Sequence, residues 1–141
     1  MSNTKVTKAP CMRIFEPLPA SVELAAKLTI GAAIAVHRAL GPGFLERIYQ
    51  EALCLELQAR NIGFECQRPV AVHYRGVAIP GQRIDLIVEG CLVVELKAVS
   101  RFDDAHDAQL LSYLRTTGLR LGLLLNFNCP TLRDGIRRIV I

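Results

Sequence analysis

The sequence predicts one α/β domain in which helices flank a mixed central sheet, and three observations lead there. The chain has 141 residues, one domain's worth. Two stretches of helical periodicity come first, and after Gly63 the pattern switches to period-two alternation. A third helical stretch then separates a strand hairpin from a late apolar strand, an order that gives a sheet covered by helices. Hydrophobic residues make up 51% of the chain and charged residues 21%. That is too apolar for disorder and enough for a core without disulfide staples.

Each element has its own signal. Residues 1–20 read as a loose arm, because Lys5, Lys8, Pro10, Pro17 and Pro19 oppose regular structure. Ser21 is the expected N-cap of a first helix, with Glu23 in its first turn, and Gly41-Pro42-Gly43 ends it at about residue 40. Within it, residues 24–40 are the most apolar stretch, but Lys27, His37 and Arg38 mark a buried helix of a soluble domain. With no secretory apolar region near the start, no membrane association is expected. A second helix over 44–60 repeats Leu45, Ile48, Tyr49, Ala52, Leu53 and Leu57 at helical spacing.

Val70, Val72 and Tyr74 then alternate with polar neighbours, so a strand spans 66–75, ended by Gly76. Pro80-Gly81 reads as another break. Strands over 82–88 and 92–99 follow, parted only by Glu89-Gly90-Cys91, and form a hairpin. Asp103 caps a helix to about residue 116, with Gly118 as its stop. Residues 119–127 read as a buried strand and 136–141 as a short last one. The order is α-α-β-β-β-α-β-β.

Seventeen basic residues against thirteen acidic ones give a formal charge of +4. Thirteen of the seventeen are Arg, the side chain suited to bidentate phosphate contacts, but they are spread along the chain. The balance permits a nucleic-acid partner and equally fits an ordinary solvated surface. Cys11, Cys54, Cys66, Cys91 and Cys129 contain no C-x-x-C and no His at zinc-finger spacing. Cys54 and Cys66 read as small hydrophobes, and a reducing, cytoplasmic setting is the simplest expectation.

The hairpin carries the most information. A two-residue turn would pair Ile84 with Glu95 and put a charge in the apolar face. A three-residue loop over Glu89, Gly90 and Cys91 instead pairs Val88 with Leu92, Leu86 with Val94, and Asp85 with Glu95. Two carboxylates directly opposed, with Cα atoms about 4.5–5.5 Å apart, repel. Lys97 lies two residues beyond Glu95, on the same face. One reading is a surface ion-pair cluster on a wet sheet face. The other is a divalent cation, Mg²⁺ or Mn²⁺, held by Asp85, Glu95 and the Leu96 carbonyl. Mg²⁺ favours such oxygen sets completed by water and phosphate. Lys97 would then serve the attacking water and stabilise negative charge.

Asp85 with Glu95-Leu96-Lys97 resembles the D…(D/E)-x-K signature of the PD-(D/E)XK nuclease superfamily. The segment Gly43-Phe44-Leu45-Glu46-Arg47-Ile48-Tyr49 resembles the G-x-x-E-x-x-Y motif of its GxxExxY branch, and Gln109 to Tyr113 resembles the Q-x-x-x-Y of RecB-type members. The resemblance covers about residues 24–141 and implies a restriction-endonuclease-like αβββαβ core. It further implies that Glu46 joins the metal-site acids and that Gln109 and Tyr113 approach the catalytic face. Tyr49 is expected to support the fold. His106 precedes Gln109 by three and is expected as an exposed first-turn residue.

There are departures. Ile84, not Pro, precedes Asp85, and only nine residues separate Asp85 from Glu95, which leaves no specificity insertion. Two functions compete. The first is a Mg²⁺- or Mn²⁺-dependent nuclease using Asp85, Glu95, Lys97, Gln109 and Glu46. The second is a noncatalytic binding or scaffold domain that keeps the fold. No Walker A, G-x-G-x-x-G or Ser-His-Asp spacing favours other chemistry. Self-association, a homodimer in the simplest case, is one way to cover apolar surface on the first helix.

Overall fold

A computed structural model describes residues 16–141; most of the arm read over residues 1–20 lies outside the described residues. The elements are α1 (Ala20–Leu40), α2 (Glu46–Ala59), β1 (Phe64–Tyr74), β2 (Val77–Val88), β3 (Leu92–Lys97), α3 (Asp104–Thr117), β4 (Leu121–Asn126), a 3-10 turn (Leu132–Gly135) and β5 (Ile136–Val140). They form one five-stranded sheet in the order β1-β2-β3-β4-β5. The β3–β4 pair, joined through α3, is parallel and the other three pairs are antiparallel. This is the mixed α+β sheet that the sequence predicts.

Both faces of the central strands are covered. Leu86, Val88, Leu92, Val94, Leu96, Leu121, Leu123 and Leu125 pack with α1 and α2, while Ile87, Val93 and Leu124 pack with Leu110, Tyr113 and Leu114 of α3. The wet sheet face is therefore absent from β3 and β4, where every residue but Lys97 is buried. α1 presents Ala25, Ala26, Ala32 and Ala33 to this core. Small side chains let its backbone lie close to the sheet, while each buried leucine contributes about 2 kcal/mol. By length and hydropathy alone α1 is also apolar enough to cross a membrane, though its Ala and Val face is spent on the core.

Several local expectations change. Ser21 does not cap α1. The helix begins after Pro19, whose carbonyl accepts the N–H groups of Val22 and Glu23 at 3.0 and 3.2 Å. Pro80-Gly81 does not end a strand. β2 runs through it because the β1–β2 register shifts between Val70 and Val72, a bulge that absorbs a proline without N–H and a glycine at φ 130°. The β1–β2 hairpin consequently outruns the rest of the sheet. Val70 is buried, but Val72 and Tyr74 are 40% and 67% exposed because nothing packs over them. Cys66, read as a small hydrophobe, is exposed on β1, the edge strand of the sheet.

The 3-10 turn locks the far end of β4. Asn126 is buried, its amide oxygen accepts the Val99 N–H at 3.1 Å, and its amide nitrogen donates to the Val99 carbonyl at 2.9 Å. Gly135 lies directly against the Asn126 carbonyl, and an added Cβ would overlap it and meet Cys129 Sγ at 3.1 Å. Gly135→Ala is expected to cost about 3 kcal/mol, read as a lower urea midpoint with unchanged slope.

Candidate active site

β2 and β3 leave the Glu89-Gly90-Cys91 loop in the register that apolar pairing requires: Val88 opposite Leu92, Ile87 opposite Val93, Leu86 opposite Val94. The next step brings Asp85 level with Glu95, and there the main-chain ladder stops. The side chains take its place crosswise. The Asp85 N–H donates to Glu95 Oε2 at 2.8 Å, and the Leu96 N–H donates to Asp85 Oδ2 at 2.9 Å. Each acid thus satisfies a backbone donor that the diverging strands leave unpaired. Ile84 packs with Ile87 and Val93 on the α3 side, so the in–out alternation of β2 slips at Asp85.

The same irregularity extends into β1. Its ladder to β2 pairs Cys66 with Leu86 and Arg68 with Ile84, leaving out Gln67. Gln67 has φ 51°, a left-handed conformation uncommon for a side-chain-bearing residue. Its amide nitrogen lies 3.1 Å from Gln50 Oε1 and 3.4 Å from Asp85 Oδ1. Along the line Gln67, Asp85, Glu95, regular pairing gives way to side-chain contacts across three strands.

Two helices close on this line. α2 brings half-buried Glu46 in its first turn and Gln50 one turn later. α3 brings Gln109, whose Oε1 accepts from Lys97 Nζ at 3.0 Å. The start of α3 is fixed by a reciprocal cap: Asp103 accepts from the N–H groups of Ala105 and His106, and His106 Nδ1 accepts from the Asp103 N–H. His106 is therefore half-buried, not exposed as its position suggested.

Electrostatically the acids form one group. Burial pushes the Glu95 carboxyl up from 4.5 to about 8; the Asp85 charge adds to this, while the Asp85 N–H and Lys97 oppose it. Glu95 is only 3% exposed. Burial likewise raises Asp85, against the pull of the Leu96 N–H and Lys97. Glu46 is raised by burial and then by Asp85, with Lys97 and His106 opposing.

The tyrosines do other work. Tyr49 is fully buried and stacks on Phe127 with ring centroids 4.6 Å apart. Its hydroxyl donates to the Gly41 carbonyl and accepts the Phe44 N–H, clamping the turn before α2. Tyr113 donates to the Arg83 carbonyl at 3.0 Å and so ties α3 to β2 two residues before Asp85. Burial pushes the Tyr113 hydroxyl up to about 12.

Asp85, Glu95, Lys97, Gln109 and Glu46 are thus brought to one end of the sheet, together with Gln50 and Gln67, which sequence reasoning missed. Nothing in the strand pattern distinguishes Gln67, because its role follows from a left-handed backbone. The Asp103–His106 spacing was a readable signal for the cap. Among the described residues, no three His, Cys, Asp or Glu side chains form a ready-made metal cage. The oxygens gathered here are those of Asp85 and Glu95, with Glu46 close enough for Asp85 to raise it. Glu95 Oε1 has no hydrogen-bond donor among the described residues although the side chain is buried. An oxygen left over in this way, amid acids raised first by burial, fits a hard cation that completes its shell with water and phosphate.

A family model for the PD-(D/E)XK nuclease superfamily matches residues 23–139, which takes in β1 to β4 and all of β5 but Val140. No curated protein and no solved structure matches the chain.

Proposed function

Because the chain belongs to the PD-(D/E)XK nuclease superfamily, we propose that it is a Mg²⁺- or Mn²⁺-dependent nuclease, hydrolysing phosphodiester bonds at the Asp85–Glu95–Lys97 cluster. The observation that carries this reading is the crosswise pair of carboxylates, Glu95 buried and Asp85 half-buried, with the Lys97 ammonium on the strand of Glu95. Asp85, Glu95 and the Leu96 carbonyl would hold the ion, with Glu46 as a further acid. A bound divalent ion supplies charge stabilisation at the phosphate and a water of lowered pKa. Lys97, held by Gln109, orients water and donates hydrogen bonds to phosphate oxygens as negative charge develops. Tyr113 and Gln67 act on the position of Asp85. The Gly43–Glu46–Tyr49 spacing supports placement in the GxxExxY branch.

Nucleic acid as substrate is supported by the extended β1–β2 hairpin. Residues 66–84 include Arg68, Arg75 and Arg83 and no acidic residue, and the hairpin beyond Val70 is exposed. A basic arm rooted two residues from Asp85 suits a polyanion whose backbone passes the site.

The test is cleavage of mixed single- and double-stranded DNA and RNA with Mg²⁺ or Mn²⁺. Wild type is expected to cleave, and Asp85→Ala, with its fold checked by circular dichroism, is expected to be inactive. Cleavage that survives in Asp85→Ala defeats the assignment. The noncatalytic reading is favoured by one observation: the fold itself supplies partners for Asp85 and Glu95, through the Leu96 and Asp85 N–H groups. It predicts no cleavage by wild type and no heat of Mn²⁺ binding.

A further inference from the structure

α2 sets a polar row against the edge of the sheet. Glu46, Gln50 and Cys54 follow one another at four-residue intervals and share a helix face. Gln50 meets Gln67 of β1, and one turn further Cys54 meets Cys66. That last contact is a pair of free thiols whose sulfurs share a hydrogen bond at 3.2 Å. A disulfide bond is about 2.05 Å long, so closing the pair takes an approach of about 1.2 Å. A cleft of about 370 Å³, lined by Gln50, Glu51, Cys54, Leu55, Gln58 and Cys66, opens this pair to solvent.

We propose that Cys54 and Cys66 are a redox modification site, which hydrogen peroxide converts to an intramolecular disulfide and thiols restore. Nothing in the nuclease chemistry uses either residue, so the proposal goes beyond that reading. Cys66 is the exposed member and meets the oxidant first. Its thiolate attacks one peroxide oxygen, the O–O bond breaks, and Cys66 becomes a sulfenic acid with release of one water. The Cys54 sulfur then attacks the Cys66 sulfur, the S–O bond breaks, and a second water leaves. Two electrons pass from the two thiols to one peroxide. A dithiol reductant reverses the bridge by exchange. Burial pushes the Cys54 thiol up to about 12, which makes it the less reactive of the two and leaves the first step to exposed Cys66.

Other cysteines are placed differently. Cys91 is in the hairpin loop beyond β2 and Cys129 follows β4, and neither has a cysteine partner among the described residues. The bridge would also bear on the site. Gln67 directly follows Cys66, and its contacts with Gln50 and Asp85 are made next to the new covalent link. It closes a short loop between α2 and β1, which restrains the unfolded chain and braces that junction.

The experiment treats the full chain with hydrogen peroxide, blocks free thiols with an alkylating reagent and maps tryptic peptides without reduction. Arg60 lies between the two cysteines, so the bridge appears as two linked peptides that separate on adding dithiothreitol. Free thiols are expected to fall from five to three. Oxidised wild type is expected to melt several degrees higher than reduced wild type, a difference that Cys66→Ser abolishes. Five thiols after oxidation, a link involving another cysteine, a disulfide-bonded dimer, or Cys66 carried straight to sulfinic acid would each overturn the proposal. Peptide mapping of wild type decides the matter even if the serine variant folds poorly.

Discussion

Lys97→Ala is expected to lower metal-dependent cleavage by about 10²- to 10³-fold while leaving the melting temperature within a degree or two. Lys97 ends β3 at the boundary of the core and is only half-buried, so its removal opens no cavity in either apolar cluster. Its ammonium is held by Gln109 and, among the described residues, is the cation that pulls down the raised carboxyls of Asp85 and Glu95. Losing it should therefore do two separable things. The rate falls, and the pH at which the acids ionise moves up, so the rising limb of the pH–rate profile shifts to higher pH. Gln109→Ala should give a smaller loss of rate, because Lys97 keeps its charge and loses only its tether. Single-turnover cleavage across pH 6–9 reads both effects. An unshifted profile with a diminished rate would remove Lys97 from the electrostatics of the acids.

Glu95→Gln is expected to stabilise the protein at alkaline pH while abolishing activity. The sign follows from the raised carboxyl. Unfolded, Glu95 ionises near 4.5, and folded it keeps its proton to about 8. Its contribution to stability is complete below pH 4.5, declines as pH rises, and is lost once pH passes about 8. Glutamine imitates the protonated side chain at every pH and can still accept the Asp85 N–H. The variant should therefore gain on wild type from pH 5 upward, by on the order of 3 kcal/mol at pH 8.5. Urea unfolding at pH 5 and pH 8.5 measures this. A divalent ion should compress the difference in wild type only, because it takes the ionised carboxylate and displaces the proton. Equal pH dependence in the two proteins would mean that Glu95 is charged in the fold at neutral pH.

Much of this site was legible before any coordinates. The β2–β3 register follows from which apolar residues must share a face, and it sets Asp85 level with Glu95 without reference to chemistry. The covering of both faces could have been read too, since Ile87 and Val93 stand on the side reserved for polar residues. What could not be read is how the strands part at Asp85. A carboxylate bonded to the neighbouring strand's N–H looks, in sequence, like any acid in a strand. Gln67 is more hidden still, because its reach depends on one left-handed backbone angle. The exposure of Val72 and Tyr74 depends on the shortness of β3, a property of another segment altogether. Pro80 misled for a related reason: a bulge in an edge hairpin tolerates what a central strand would reject.

The sheet order repeats the chain order, β1 to β5, and this bears on how the molecule is made. Each strand, once synthesised, docks on the one before it, and none must be inserted between two that have already paired. Glu46, Gln67, Asp85 and Glu95 all precede residue 97, so the acidic half of the cluster can gather while the rest of the chain is still emerging. The Gln109 that steadies Lys97 arrives only with α3, and the parallel β3–β4 pair, the most remote contact in the sheet, forms after it. Lys97 comes with Glu95 on β3, so assembly is ordered from the charged groups to the amide that tethers them, and a nascent chain holds its ionisable cluster before it holds the side chain that steadies it.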